Sequence, residues 1–574
     1  YTIVIPDNAS DMEKRAANEF QRLFALSSSV QLPIVSDNEP PRSHEIVIGN
    51  TNRELPQHLK DLQTDGFTIQ AKKDILYIKG GREKGVLYGV YTFFDKYLNY
   101  RCYSPSVFNY PTLSKVRIPA NILDTQIPMN VYRNVYYEVA DDPFYADWHK
   151  LDHMKPDWGM WVHTFSTLIP VDNYFSEHPE YFALVNGQRV AKQHDETLSA
   201  QLCLSNPDVL RIVVENLEKR MEDNSKSLYW SVSQNDTYPN LGYNCTCDKC
   251  TAIDKESGNP SGSLITFVNK VAAHFPDKII STLAYRYSRS APSAVKPDSN
   301  VNIMLCNIEC NRNLPIADDT TSVDFCKDFK DWTNLTNNIL IWDYVVQFTN
   351  LLAPFPNLRI LQPNMQYYVQ HGVNAHFQQG NISRGGEFCE LRPYLIARLL
   401  WDPHIDFEAE LKDFLKGYYE EAAPFIEKYI NLMHDELERS GQELKIFGSP
   451  YDHFETGFMR LELTQQYEKI FDEAEKAVAS KPEVLERVQV ARLPQIYSLF
   501  EFAKIRGTKE TRVFEMVNGK WQVQPKILQE LKYFTELCNK TGVQLMQERQ
   551  TTPNEYYEQT KNFLLHITNK TKHK

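Results

Sequence analysis

Between residues 128 and 390 the sequence repeats one pattern: a short β-rich run, a few polar residues, and then usually a stretch with helical spacing. The runs are MNVYRNVYY (129–137), GMWVHTF (159–165), AQLCLSN (200–206), LYWSVSQND (228–236), KIISTLAYR (278–286), VNIMLCNIEC (301–310), NILIWDYV (338–345) and VNAHFQQGN (373–381). Helical segments separate several of them. NPDVLRIVVENLEKRME (206–222) carries Pro207 where a first turn tolerates it, and SGSLITFVNKVAAHF (261–275) opens on a serine cap. Eight strands alternating with helices predict an α/β fold, a (β/α)8 TIM barrel over residues 126–404. A doubly wound open sheet satisfies the same count, because alternation alone does not dictate closure.

The flanks have other rhythms. Residues 1–125 read as a small α/β domain. TIVIP (2–6) and EIVIGN (45–50) are strands, and 65–81 is a hairpin turning at Lys72-Lys73-Asp74. Helices are expected at Asn8 to Leu26, with Ser10 as N-cap, and at 83–99. The proline-bearing stretch 110–122 reads as an edge strand and linker. From 405 to 574 apolar residues recur at three- and four-residue spacing, as in 407–440, 465–480, 487–505 and 553–567. This predicts a C-terminal α-helical domain covering one side of the barrel. No fixed repeat length indicates a solenoid.

Charge and hydropathy exclude several classes. The net charge is −12 and no basic stripe is present, which argues against nucleic acid as partner. No apolar run approaches the ~20 residues of a membrane helix. The chain begins at Tyr1 with no basic or apolar leader, as expected if an export signal has been removed or the sequence trimmed. Aromatic residues make up 12% of the chain, a content that suits a cleft of flat rings against which sugar C–H faces pack.

In a (β/α)8 barrel, reactive groups project from the C-terminal strand ends. That edge reads Arg133, His163, Asn206, Asn235 with Asp236, Tyr285 with Arg286, Glu309, Asp343, and Gln378 with Asn381. Trp161, Trp342 and Tyr344 add rings. Carboxylates among aromatic rings, with no serine-nucleophile motif, suggest glycoside chemistry, in which a carboxylic acid protonates the leaving oxygen. A lone strand-end acid can equally be a salt bridge to a loop arginine or lysine. SVSQND is the most pointed signal: an apolar strand ends abruptly in polar groups, and Asp236 can donate a proton while Asn235 orients. An Asx turn opening the next loop would look the same.

CTCDKC follows, with Cys245, Cys247 and Cys250. Three thiols so close can bind zinc if a fourth ligand comes from Cys102, Cys310 or a histidine. They can also form a disulfide plus a free thiol, or stay reduced. The glycine turns at 186–189, 380–388 and 80–89 lack the order of phosphate- or dinucleotide-binding loops, so no cofactor is expected, and no metal is assigned to the site.

HPEYFALVNGQR (178–189), QLCLSNPDV (201–209), SVSQND…CTCDKC (231–250), SGSLITFVNKVA (261–272), TLAYRYSR (282–289), IWDYV (341–345), PFPNLRILQPN (354–364) and GEFCELRPYLIARLLWDP (386–403) together resemble glycoside hydrolase family 163, roughly over 130–430. GGREKGVLYGVYTF resembles the small domain preceding the barrel in hexosaminidases and α-glucuronidases. The resemblance implies an endo-β-N-acetylglucosaminidase that cleaves the chitobiose core of complex-type N-glycans. It also implies an exported bacterial enzyme, periplasmic or at the cell surface, with a glycoprotein as partner. It implies retaining, substrate-assisted catalysis with Asp236 as general acid/base and Asn235 as acetamide orienter, and with Glu309 or Asp343 as neighbouring carboxylates. Arg133 resembles the arginine that grips sugar hydroxyls, and His163, Tyr285, Trp342, Tyr344, Gln378 and Asn381 would complete the substrate site. The family pattern ends strand eight in a glutamate where this chain has Gln378, a change that keeps shape and removes charge. Two other readings are a two-carboxylate glycosidase with Asp343 as nucleophile and a non-catalytic glycan-binding protein. A zinc hydrolase is more remote.

Overall fold

The computed structural model describes residues 1–53, 61–116, 118, 121–191, 200–236, 244–381 and 384–567. The first domain is a six-stranded sheet ordered β2-β1-β3-β5-β4-β8. Its strands are β1 (Thr2–Ile5), β2 (Ile34–Ser36), β3 (Glu45–Ile48), β4 (Phe67–Lys72), β5 (Ile75–Gly80) and β8 (Leu123–Gln126). The hairpin of β6 (Arg101–Ser104) and β7 (Val107–Asn109) stands apart. Helices Asp11–Ser28 and Gly85–Leu98 pack against each other through Phe20, Phe93 and Phe94. Ser10 forms a full capping box with Glu13. The edge strand lies at 123–126, just beyond the expected 110–122. Pro111 has no N–H for a ladder to use, whereas Leu123–Gln126 pairs antiparallel with β4.

The central sheet has seven parallel strands among the described residues. Besides β9 (Tyr132–Tyr136), β10 (Trp158–Met160) and β13 (Tyr229–Ser231) it contains β14 (Ile279–Ala284), β15 (Val301–Cys306), β16 (Ile339–Tyr344) and β17 (Ala375–Gln379). The order is β10-β13-β14-β15-β16-β17-β9, so the first strand of the series lies beside the last. The two outer edges nearly meet. Trp158 Nε1 on β10 donates to Tyr132 OH on β9 at 3.0 Å, and Trp161 lies 4.9 Å from Phe377 on β17. The sheet is therefore strongly curled. Among the described residues no backbone ladder joins β9 to β10. That seam is filled by residues 150–152, where Asp152 N donates to Arg133 O.

Seven of the eight expected runs enter this sheet, and AQLCLSN (200–206) does not. It makes a single antiparallel bridge, Leu202 with Phe182, beside the short hairpin of β11 (Leu184–Val185) and β12 (Gln188–Arg189). Its polar residues are committed elsewhere. Gln201 clamps the backbone of Asn235 from both sides, Nε2 donating to Asn235 O at 2.8 Å and Oε1 accepting from Asn235 N at 3.0 Å.

The C-terminal region is helical: Phe407–Tyr419, Ala423–Ser440, Leu461–Ala477, Pro482–Arg506, Pro525–Thr541 and Pro553–Leu565. The expected stretch 407–440 breaks at Glu420, where φ is +48°. A small hairpin, Phe514–Val517 with Lys520–Val523, interrupts the helices. This region reaches back over the strand ends: Phe348 N donates to Ile446 O, Leu351 N to Met546 O, and Glu548 N to Phe348 O. No described helix is long and apolar enough to cross a membrane.

Arg133 joins the first domain to the sheet. It sits early in β9 and is 1% exposed. Its guanidinium donates to Asp65 Oδ2 (2.6 Å), Lys150 O and Asn130 O, and lies over the Trp401 ring. Removing one side of a buried ion pair strands the other charge. Arg133→Ala is expected to lower stability by about 3–5 kcal/mol. A urea midpoint that does not move would contradict this structural role.

Candidate active site

Side chains on a strand alternate between faces. On the concave face, Tyr136 (β9), Leu283 and then Tyr285 beyond β14, Cys306 (β15), Trp342 and Tyr344 (β16), and Phe377 and Gln379 (β17) line a cleft of about 840 Å³. Trp161, His163 and Asp236 enter from the segments after β10 and β13. The rings form one wall: Trp342 is edge-on to Phe377 at 4.6 Å and stacked on Tyr344 at 6.0 Å, and Tyr344 continues to Phe348 and Phe447. Trp342 Nε1 donates to Gln379 Oε1 at 2.6 Å. An indole N–H can only donate, so this bond leaves the Gln379 amide NH2 as a donor.

Asp236 is the expected acid that the structure brings to this cleft. Tyr285 OH donates to Asp236 Oδ1 at 3.1 Å. Burial and the Asp236 charge push the Tyr285 hydroxyl well above its ordinary pKa, so it stays a donor. Arg286 lies 5.1 Å over the Tyr285 ring, and the His163 ring meets Tyr285 at 6.0 Å. His163 has φ +55°, rare for a non-glycine residue. It is held there by its N–H donating to Ser233 Oγ at 2.9 Å and by Nδ1 against Gln234 O at 2.9 Å.

Asn235 does not face the cleft. It turns into the wall, where Oδ1 accepts from Ser166 N at 3.0 Å and Nδ2 donates to Ala200 O at 2.8 Å. Both ends of its amide are thus engaged by backbone. The extended chain sends neighbours in opposite directions, so Asp236 enters the cleft because Asn235 does not. Asp343 and Gln378 are excluded for the same reason. They are cross-strand partners on the face opposite Trp342, Tyr344, Phe377 and Gln379, and Asp343 accepts from Asn307 Nδ2 at 2.7 Å.

Glu309 is the surface ion pair that a strand-end acid can be, bound to Arg289 at 3.0 Å with Arg286 at 3.9 Å. Arg133 lies at the domain junction. Asn381 borders a separate small void with Glu387 and Arg392, and Asn206 caps helix Pro207–Asp223. Of the expected substrate residues, the cleft therefore receives His163, Tyr285, Trp342 and Tyr344, with Gln379 in place of Gln378.

The sequence reading missed Glu548. It lies in the turn 547–550, which the hydrogen bond from Glu548 N to Phe348 O docks on the cleft rim beside Arg549 and Gln550. Burial raises its carboxyl above the ordinary value, the nearby Asp236 charge raises it further, and Arg549 opposes. Two carboxylates thus share the field of one ring-walled cleft. No local motif marks Glu548, since it is some 300 residues from Asp236 in sequence.

The CTCDKC thiols stand outside the cleft. They gather with Cys203, not with Cys102, Cys310 or a histidine, and no disulfide occurs among the described residues.

Two measurements test this geometry. A nearby negative charge raises a carboxyl pKa, so Asp236→Asn is expected to lower the Glu548 pKa in a carbon-13 NMR titration. An unchanged titration would separate the two groups. Gln378→Glu places a second carboxylate beside buried Asp343 and is expected to lower the melting temperature by several degrees. Gln379→Glu, opening on the cleft, is expected to cost much less. Equal losses would mean the alternation assigned to β17 is incorrect.

Residues 102–431 match the family model described as Domain of unknown function (DUF4838), and residues 2–93 match the Glycosyl hydrolase family 67 N-terminus. No curated protein matches the sequence. Among solved structures, the chain is similar in fold to a family GH115 4-O-methyl-α-glucuronidase with specificity for decorated arabinogalactans. That match has TM-score 0.51 and 11% identity and covers 97% of this chain and 79% of that one. Looser similarity is found to a GH138 enzyme targeting pectin rhamnogalacturonan II (TM-score 0.45, 11% identity, 98% of each chain). It is also found to CpGH84D (TM-score 0.46, 10% identity, 99% of this chain and 95% of that one). Because its model spans more than half of the sequence, including every strand of the curled sheet, the chain belongs to the DUF4838 family.

Proposed function

We propose that the protein is a glycoside hydrolase that holds a glycan against the Trp161–Trp342–Tyr344–Phe377 wall, with Asp236 as general acid/base. The observation that carries this reading is Asp236 projecting beyond β13 into an aromatic cleft at the C-terminal edge of a curled parallel sheet, hydrogen-bonded by Tyr285. Flat rings suit sugar C–H faces, and a carboxylic acid suits a glycosidic oxygen. The similarity of fold to the GH115 enzyme and the family 67 N-terminal match lie in the same direction.

The finer reading rests on the sequence resemblance. It is an exported endo-β-N-acetylglucosaminidase acting between the two GlcNAc residues of complex-type N-glycans, with retention. The acetamide carbonyl oxygen attacks the anomeric carbon as the C–O bond to the leaving sugar breaks, and Asp236 gives its proton to the leaving glycosidic oxygen. Asp236 then takes a proton from the water that opens the bicyclic intermediate. Asn235, bound into the wall, is not available to orient the acetamide. In this reading Glu548 accepts the acetamide N–H. Glu548 also favours a second reading, in which it is a protein nucleophile and the mechanism is a two-carboxylate displacement.

Incubation with a complex-type N-glycoprotein tests the proposal. The expected product retains a single GlcNAc on the asparagine, read by mass spectrometry. Asp236→Asn and Glu548→Gln are each expected to lower kcat by about 10²–10⁴. Tight inhibition by a GlcNAc-derived thiazoline supports acetamide participation, and indifference to it supports the nucleophile role of Glu548. Glycan binding without release at high enzyme load would leave a binding protein rather than an enzyme.

A further inference from the structure

Four cysteines from two distant segments meet on the flank of the sheet. Cys203 comes from the run that stays out of the sheet, and Cys245, Cys247 and Cys250 come from CTCDKC. Their four sulfurs lie within 4.8 Å of one another, and Cys203 Sγ is 3.7 Å from Cys247 Sγ. A disulfide needs about 2.05 Å, so these sulfurs are not bonded. Tetrahedral zinc with Zn–S of about 2.3 Å separates its ligand sulfurs by about 3.8 Å. The Cys203–Cys247 spacing matches one edge of such a tetrahedron, and all four sulfurs lie close enough together to surround one ion.

The surroundings fit a bound cation with thiolate ligands. Leu184 N donates to Cys245 Sγ at 3.3 Å and Arg189 Nη1 lies 3.6 Å from the same sulfur. Both donors offset the excess negative charge of four thiolates on one divalent ion. Cys247 is the N-cap of helix Asp248–Ser257 and Cys250 lies in its first turn, where the helix dipole favours thiolate. Among the described residues, Ala183 is buried with Cys203, Cys245 and Cys250, and Leu184, Val185 and Cys247 pack against them. Among the described residues no aromatic side chain joins that cluster, and a metal is what small lobes use to supplement a thin core.

We propose that Cys203, Cys245, Cys247 and Cys250 form a structural zinc site. Its four protein ligands leave no open position, so it is not a catalytic metal. Its role is to fix the segment 200–203 that holds Asn235. Gln201 grips the Asn235 backbone and Ala200 O takes its amide, so the site braces the strand exit from which Asp236 projects. This inference does not depend on what the cleft hydrolyses.

The test is metal content of the full chain, expressed with zinc and purified without a metal-affinity tag. One zinc per chain is expected by plasma mass spectrometry. Replacement by cobalt(II) should give the intense visible bands of a tetrahedral tetrathiolate complex. Cys203→Ser combined with Cys247→Ser should lose the metal and lower the melting temperature, whereas Cys326→Ser, outside the cluster, should lose neither. If the double variant does not fold, the zinc stoichiometry and the cobalt spectrum of the unmodified chain still decide. A metal-free chain with two disulfides, four hydrogens lighter by intact mass, would overturn the proposal. So would a cobalt spectrum without thiolate character.

Discussion

The period-two alternation of side chains along parallel strands governs the rest of this structure. The sheet curls until its edges nearly meet, so its two faces become an inside and an outside. Each strand's residues then divide into those that see the cleft and those that see the helices. β16 shows the consequence within three residues: Trp342 and Tyr344 wall the cleft, while Asp343 between them faces away, bound by Asn307. Beside it β17 gives Gln379 to the cleft and Gln378 to the outer layer. At the exit beyond β13, Asn235 is spent on the wall and Asp236 is delivered to the mouth. Polar residues at strand ends are therefore not a ring of equals, and their chemistry depends on parity.

A second constraint is that the mouth is covered by chain from far away. Residues 444–447 and 546–550 hydrogen-bond to the loops after β15 and β16. Phe447 and Glu548 become parts of the cleft that the central domain alone would lack. The result is one carboxylate at a strand exit and another on a docked turn, both lining the same cleft. Tyr285 OH donates to the Asp236 carboxylate, while the Glu548 backbone N–H donates to Phe348 O and fixes the turn that carries its side chain.

The run AQLCLSN explains why the sheet has seven described strands rather than eight. An apolar, alternating segment has the local look of a strand. Here its Gln201 instead braces Asn235 and its Cys203 joins the thiol cluster. Without this run β10 pairs directly with β13, and the separate seam between β9 and β10 is filled by residues 150–152 and by Trp158 against Tyr132.

The sequence by itself determined the local elements and their succession. The capped helix at Ser10, the hairpin of β4 and β5, seven of the eight expected sheet strands and the helical C-terminal region follow from periodicity and caps, which act within a few residues. It also singled out Asp236, because an apolar strand that stops in polar groups is a local signal. Only the tertiary structure decided that Arg133 is a domain tie, that Glu309 is a surface ion pair, and that Asn235, Asp343 and Gln378 turn away from the cleft. Only it joined Cys203 to Cys245, Cys247 and Cys250, and Glu548 to Asp236. The physical reason is distance along the chain: register, face and long-range contact are set by the curl of the sheet and by the docking of remote segments, and no short window of residues encodes either.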